Sequence, residues 1–121
     1  MAIDLRSIHD LEQDALYLLP LGIGNAFTRR YYNSSFLLIC GGRSLLVDAP
    51  APLRHILARA EKLSGIALDL DNVDTIFLTH LHGDHCNGLE ELGFFRMFSE
   101  GLPLPRLILH DKLRSKLWHQ K

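Results

Sequence analysis

The stretch Thr79-His80-Leu81-His82-Gly83-Asp84-His85 decides how this chain is read, because four side chains able to hold a metal fall within six residues. An apolar run from Val73 to Leu78 leads into it and has the length and composition of a buried strand. On a strand, residues two apart share a face, so His80 and His82 are expected to project together from its C-terminal end. Gly83 has no Cβ and permits a sharp turn, which would swing Asp84 and His85 back toward the same volume. Two imidazoles on one side, and a carboxylate with an imidazole on the other, suit borderline cations, zinc above all. The bland alternative is a histidine-rich surface turn with no ligand. Chance seldom sets such a cluster directly after a buried strand.

Upstream of the motif, two apolar runs, Ser35 to Cys40 and Ser44 to Val47, flank Gly41-Gly42-Arg43, the pattern of a hairpin closed by a glycine turn. Asp48 ends the second strand. Pro50 and Pro52 introduce a helix whose Leu53, Ile56, Leu57, Ala60 and Leu63 fall on one stripe, with Arg54, His55, Arg59 and Lys62 off it and Gly65 as its stop. Strand, helix and motif strand in that order imply parallel pairing by a crossover. Ala15 to Leu19 reads as a further strand, closed by Pro20, Gly22 and Gly24. Gly22-Ile23-Gly24-Asn25 lacks the third glycine of a dinucleotide loop and the lysine of a P-loop, so it is a turn. Met1 to Asp14, with Ile3, Leu5, Ile8 and Leu11 loosely spaced, fits an edge strand or a short helix equally well.

Downstream, Gly88 to Phe98 reads as a second helix with Leu89, Leu92, Phe95 and Phe98 facing inward and Glu90 and Glu91 outward. Phe94 and Met97 widen its apolar face and ask for cover by another element or a partner. Arg106 to Leu109 is a short strand, and Leu113, Leu117 and Trp118 mark a last helix.

The 121 residues read as one domain, residues 1–121, with an apolar content that fits a globular fold. The net charge of −1 creates no global basic field, which counts against a polynucleotide substrate, although a local patch could still hold a phosphate. Arg29-Arg30 followed by Tyr31-Tyr32 has two readings, a loop that grips a phosphate and stacks a base, or a solvated connection with half-buried aromatics. Cys40 and Cys86 form no disulfide framework; Cys40 is expected in the core, and packing is the expected role of Cys86 beside His85. Ala15 to Leu21 is far too short to span a membrane, and a reducing, cytoplasmic setting is the expectation.

T-H-L-H-G-D-H resembles the H-x-H-x-D-H signature of the metallo-β-lactamase superfamily, hydrolases that bind one or two metals in an αββα sandwich. The G-D-H form followed by Asn87-Gly88-Leu89, together with the L-G-x-G opening at Leu21 to Gly24, is most similar to the phosphodiesterase branch, including tRNA-processing endonucleases of the ribonuclease Z type. The resemblance implies an α/β fold, a mixed sheet with outer helices, of which this chain covers about the first half. It also implies that His80 and His82 hold a first zinc, Asp84 and His85 a second, with Mn2+ or Fe2+ fitting the same donors. Asp84 would further orient the nucleophile as a catalytic residue, and Asp48 would support the metal loop by hydrogen bonds, its other reading being a cap on the following helix.

Superfamily members take a third histidine, a bridging aspartate and a final histidine from later segments, and only residues 86–121 follow the motif here. His110 and His119 are the later histidines; His110 does not match the family's next ligand, and recruitment of either in its place is not the expectation. The expectation is therefore a fragment of a longer hydrolase, or a half that pairs with another chain. The expected activity is a metal-held hydroxide attacking a phosphodiester, with Arg29 and Arg30 as candidate substrate contacts. Thioester or lactone hydrolysis by the same fold is the enzymatic alternative. A non-enzymatic alternative is an incomplete zinc-binding half that assembles as a homo-oligomer.

Overall fold

The structure, a computed structural model, describes residues 4–120, and the side chains of residues 118–120 lie outside that description. The expectations for Ile3, Trp118 and the chain end at Lys121 therefore fall outside the described residues. Five strands form one mixed sheet in the order β1 (Leu16–Gly22), β2 (Ser35–Cys40), β3 (Arg43–Val47), β4 (Thr75–Phe77) and β5 (Arg106–Ile108). β1, β2 and β3 pair antiparallel, whereas β3, β4 and β5 pair parallel. The turn between β2 and β3 is Gly41-Gly42, with φ of 59° and 74° at the two residues. A two-residue hairpin loop of this hand needs positive φ at both positions, which is why the sequence signal there was sharp.

Helix α1 (Leu53–Ser64) makes the crossover from β3 to β4, and Gly65 closes it with φ 76° and an N–H donated to Glu61 O at 2.9 Å. Short helix α2 (Gly83–Cys86) and helix α3 (Leu89–Met97) follow the motif, and α4 (Asp111–Gln120) follows β5. The core sits on one face of the sheet, where Leu37, Ile39, Leu46 and Ile76 meet Leu53, Ile56, Leu57 and Leu92. Of the two readings of the amino-terminal segment, the described residues show the short helix. It is a 3-10 turn over Ile8–Asp10, capped by Ser7, that buries Ile8 and Leu11.

Several side chains depart from the sequence pattern. Leu63, at the margin of the α1 stripe in its last turn, is 75% exposed, and Phe98, just past the end of α3, is 78% exposed. Both stand at helix ends, Phe98 as the C-cap of α3. Cys40 is exposed because it ends β2 beside the hairpin turn and points to the opposite sheet face from Ile39. Pro20 lies inside β1, which extends to Gly22 with a bulge. β1 is an edge strand, so the missing proline N–H costs no ladder bond. Glu91 does not face solvent as an ordinary outer-face residue; its carboxylate accepts the N–H of Leu53 and Arg54 at 2.8 and 2.9 Å. It caps α1, whose own N-cap residue, Pro52, supplies no side-chain acceptor.

Gly88 locks α2 and α3 against the loop after β3. Its N–H donates to Ala49 O at 2.6 Å, and Ala49 N donates to His85 O at 2.7 Å. A Cβ here would lie 2.5 Å from Pro50 O and 2.8 Å from Ala49 O, both backbone atoms. We expect Gly88→Ala to destabilise the fold by about 1–3 kcal/mol through overpacking, read as a lower urea midpoint. An unchanged midpoint would show that this loop yields without cost.

Candidate metal centre

The site forms at the C-terminal ends of β3, β4 and β5, because the chain leaving β4 is held between its neighbours. Asp48 N donates to Phe77 O at 2.8 Å, and Leu78 N donates to Ile108 O at 3.0 Å. β4 itself stops at Phe77, so His80 and His82 are carried by a loop rather than by the strand end. His82 is the N-cap of α2, with the backbone N–H groups of His85 and Cys86 donating to its carbonyl at 2.9 and 3.2 Å. Gly83 starts this short helix and is not left-handed as a sharp turn would require. One helical turn, not a glycine kink, returns Asp84 and His85 to the histidine pair.

The four side chains do converge. The rings of His80 and His82 lie edge to face with centroids 4.7 Å apart, and those of His80 and His85 are 4.1 Å apart. His80, His82 and Asp84 bring one ligand atom each within 4.8 Å of one another, and Asp48, His80 and His85 do the same. Asp84 Oδ2 is 3.2 Å from His85 Nε2, so Asp84 stands between the two groups, while the sequence pattern paired it with His85 alone.

Asp48 is buried at the end of β3 with φ 62°, the one non-glycine residue with positive φ among those described. Aspartate tolerates this region better than most residues, at a cost of about 1 kcal/mol. Three hydrogen bonds to its carboxylate offset that cost. Oδ1 accepts from Thr79 N at 2.8 Å, and Oδ2 accepts from Thr79 Oγ1 at 2.7 Å and from His85 Nδ1 at 2.8 Å. With both oxygens so engaged, Asp48 is tied to the ring of His85 and to the loop at Thr79. It does not cap α1, a task Glu91 performs.

Arg29 and Arg30 lie in the β1–β2 loop, which emerges at the same end of the sheet as Asp48 because β1 and β2 are antiparallel. Arg30 stacks on Tyr31 at 5.5 Å, and no hydrogen bond or ion pair joins either arginine to the cluster among the described residues. His110 accepts the Lys112 N–H at 3.1 Å at the start of α4, and His55 is exposed on α1. Cys86 is buried behind the site, its thiol donating to Leu81 O at 3.4 Å. Thr79 and Arg96 are the residues that the sequence pattern passed over. Arg96 is 3% exposed and donates to the carbonyls of Leu70, Val73 and Pro103, pinning the segment that enters β4.

The donor set, three imidazoles and a carboxylate with a second carboxylate behind one imidazole, fits zinc or another borderline divalent ion. No helix among the described residues is long and apolar enough to cross a membrane.

The family model described as Anti-Pycsar protein Apyc1 matches residues 16–121. The Anti-Pycsar protein Apyc1 of Paenibacillus sp. (strain J14) is 40% identical over 106 residues, covering 86% of this chain and 40% of that protein. Among solved structures, the short form of human tRNase Z aligns with TM-score 0.64 and 27% identity, over 85% of this chain and 38% of that one. The metallo-β-lactamase fold protein YhfI from Bacillus subtilis aligns with TM-score 0.70 and 22% identity, over 89% of this chain and 43% of its own. The fold is thus of the metallo-β-lactamase type, and the chain spans about 40% of the length of the curated relatives it matches.

Proposed function

This chain belongs to the Anti-Pycsar protein Apyc1 family, and we propose that it carries the metal ligands of a hydrolase that cleaves small phosphodiesters, cyclic nucleotides first among them. The observation that carries this reading is the convergence of His80, His82, Asp84 and His85 at the C-terminal sheet end, backed by the buried Asp48. These four side chains would hold the metal. A divalent cation bound there lowers the pKa of a water and withdraws charge from a phosphoryl oxygen.

The protein's own groups do the rest. Asp84, next to His85 Nε2, is placed to accept a hydrogen bond from the attacking water and hold its lone pair toward phosphorus. Asp48 keeps the His85 ring from rotating out of the cluster. Arg29 and Arg30, on the same end of the sheet, offer positive charge to the remaining phosphate oxygens. A net charge of −1 supplies no field to gather a polyanion, so a single phosphodiester suits this chain better than a long RNA.

The test uses the natural full-length protein, with metal content measured by mass spectrometry. Hydrolysis of bis(p-nitrophenyl) phosphate, a cyclic mononucleotide, an oligoribonucleotide and a thioester would be compared with and without chelator. We expect turnover of the two small phosphodiesters, abolished by chelator, and reduced more than about tenfold together with bound metal in His82→Ala. Turnover of the thioester alone, or phosphodiester cleavage undiminished in metal-free protein, would overturn the proposal.

A further inference from the structure

We infer that Thr79 is a positioning residue that sets the tautomer of His80, through a hydroxyl relay from Asp48. The inference rests on the metal-ligand reading of His80 above. Thr79 Oγ1 has one proton and two close neighbours, Asp48 Oδ2 at 2.7 Å and His80 Nδ1 at 2.8 Å. A carboxylate can only accept, so the hydroxyl proton points to Asp48. The lone pairs of Thr79 Oγ1 are left for His80, whose Nδ1 must then carry the hydrogen. The Nε2 lone pair of His80 is thereby free to face a cation. Asp48 Oδ2 also accepts directly from His85 Nδ1, which fixes a hydrogen there and leaves Nε2, 3.2 Å from Asp84 Oδ2, on the open side of the cluster. One buried carboxylate thus presents two imidazoles in one tautomer, the first through Thr79 and the second by contact.

The arrangement separates the roles of the Thr79 hydroxyl and backbone. Its N–H donates to Asp48 Oδ1 at 2.8 Å, a bond that valine or serine at this position keeps. Valine has nearly the shape of threonine without the hydroxyl, and serine keeps the hydroxyl without the methyl group. Thr79→Val therefore removes the relay and leaves the loop in place.

Long-range proton–nitrogen correlation NMR on the metal-free protein reads the tautomer of each ring directly. Wild type and Thr79→Ser should show both His80 and His85 protonated on Nδ1. In Thr79→Val, His80 should become a mixture of tautomers while His85 stays unchanged, which also reports that the fold is intact. Titration with Zn2+ should then show about tenfold to a hundredfold weaker binding in Thr79→Val, with Thr79→Ser near wild type. His80 held in the Nδ1–H form by the valine variant would overturn the inference, as would a serine variant indistinguishable from valine. Failure of wild type to bind Zn2+ would instead overturn the metal-ligand reading, on which the tautomer measurement does not depend.

Discussion

If the proposed phosphodiester hydrolysis is the activity, His85→Ala should lower it by at least about a hundredfold, the upper end of what removal of a mere supporting partner of a ligand costs. The expectation follows from the position of His85 in two networks. Its Nε2 lies 3.2 Å from Asp84 Oδ2 on the open side of the cluster, and its Nδ1 lies 2.8 Å from Asp48 on the buried side. Alanine removes the donor and frees Asp84 from its neighbour at once. The fold should survive, because Thr79 still donates to both oxygens of Asp48. The stability loss should stay near the roughly 1 kcal/mol of one hydrogen bond, or up to about 3 kcal/mol for a charged acceptor. Activity and urea midpoint measured on the same preparation check this. A variant that unfolds would place His85 in the scaffold, and one that keeps full activity would remove it from the site.

Arg96→Leu should cost about 3 kcal/mol or more, a large share of the roughly 5–15 kcal/mol that holds a domain together. Among the described residues the buried guanidinium meets no carboxylate, and its charge is spread over backbone carbonyls. Nη1 donates to Val73 O at 2.6 Å and Leu70 O at 3.2 Å, and Nε donates to Pro103 O at 3.0 Å. Leucine would leave Val73 O and Pro103 O without these donors, and Leu70 O with the long 3.4 Å bond from Val73 N. Each buried acceptor left open costs about 1–3 kcal/mol, which packing of the leucine offsets only in part. Arg96→Lys should fall between, since a point charge reaches fewer of the carbonyls. A urea midpoint unchanged in Arg96→Leu would show that the carbonyl cluster contributes nothing.

What could be read along the chain was local. The metal-capable cluster of residues 80 to 85 stands out because its donors are close in sequence, and one helical turn suffices to gather them. The hairpin around Gly41-Gly42 and the buried stripe of Leu53, Ile56, Leu57 and Ala60 follow from backbone freedom and from a fixed 3.6-residue period. The resemblance of T-H-L-H-G-D-H to metallo-β-lactamases likewise needs seven adjacent residues.

What only the tertiary structure decided were pairings across long separations. The resemblance implied that Asp48 supports the metal loop, but not that it meets Thr79 from 31 residues away and His85 from 37 by adopting a left-handed φ. Arg96 looks like the solvated face of a helix until the segment 23 residues earlier folds over it. Glu91 looks equally ordinary until the uncapped start of α1, at Leu53 and Arg54, is brought against α3. Leu63 and Phe98 fit the apolar spacing of their helices and are exposed all the same, at the helix ends. Periodicity says which way a side chain points. Burial depends on what the rest of the chain puts there, and a polar side chain reveals its role only once its partner has arrived.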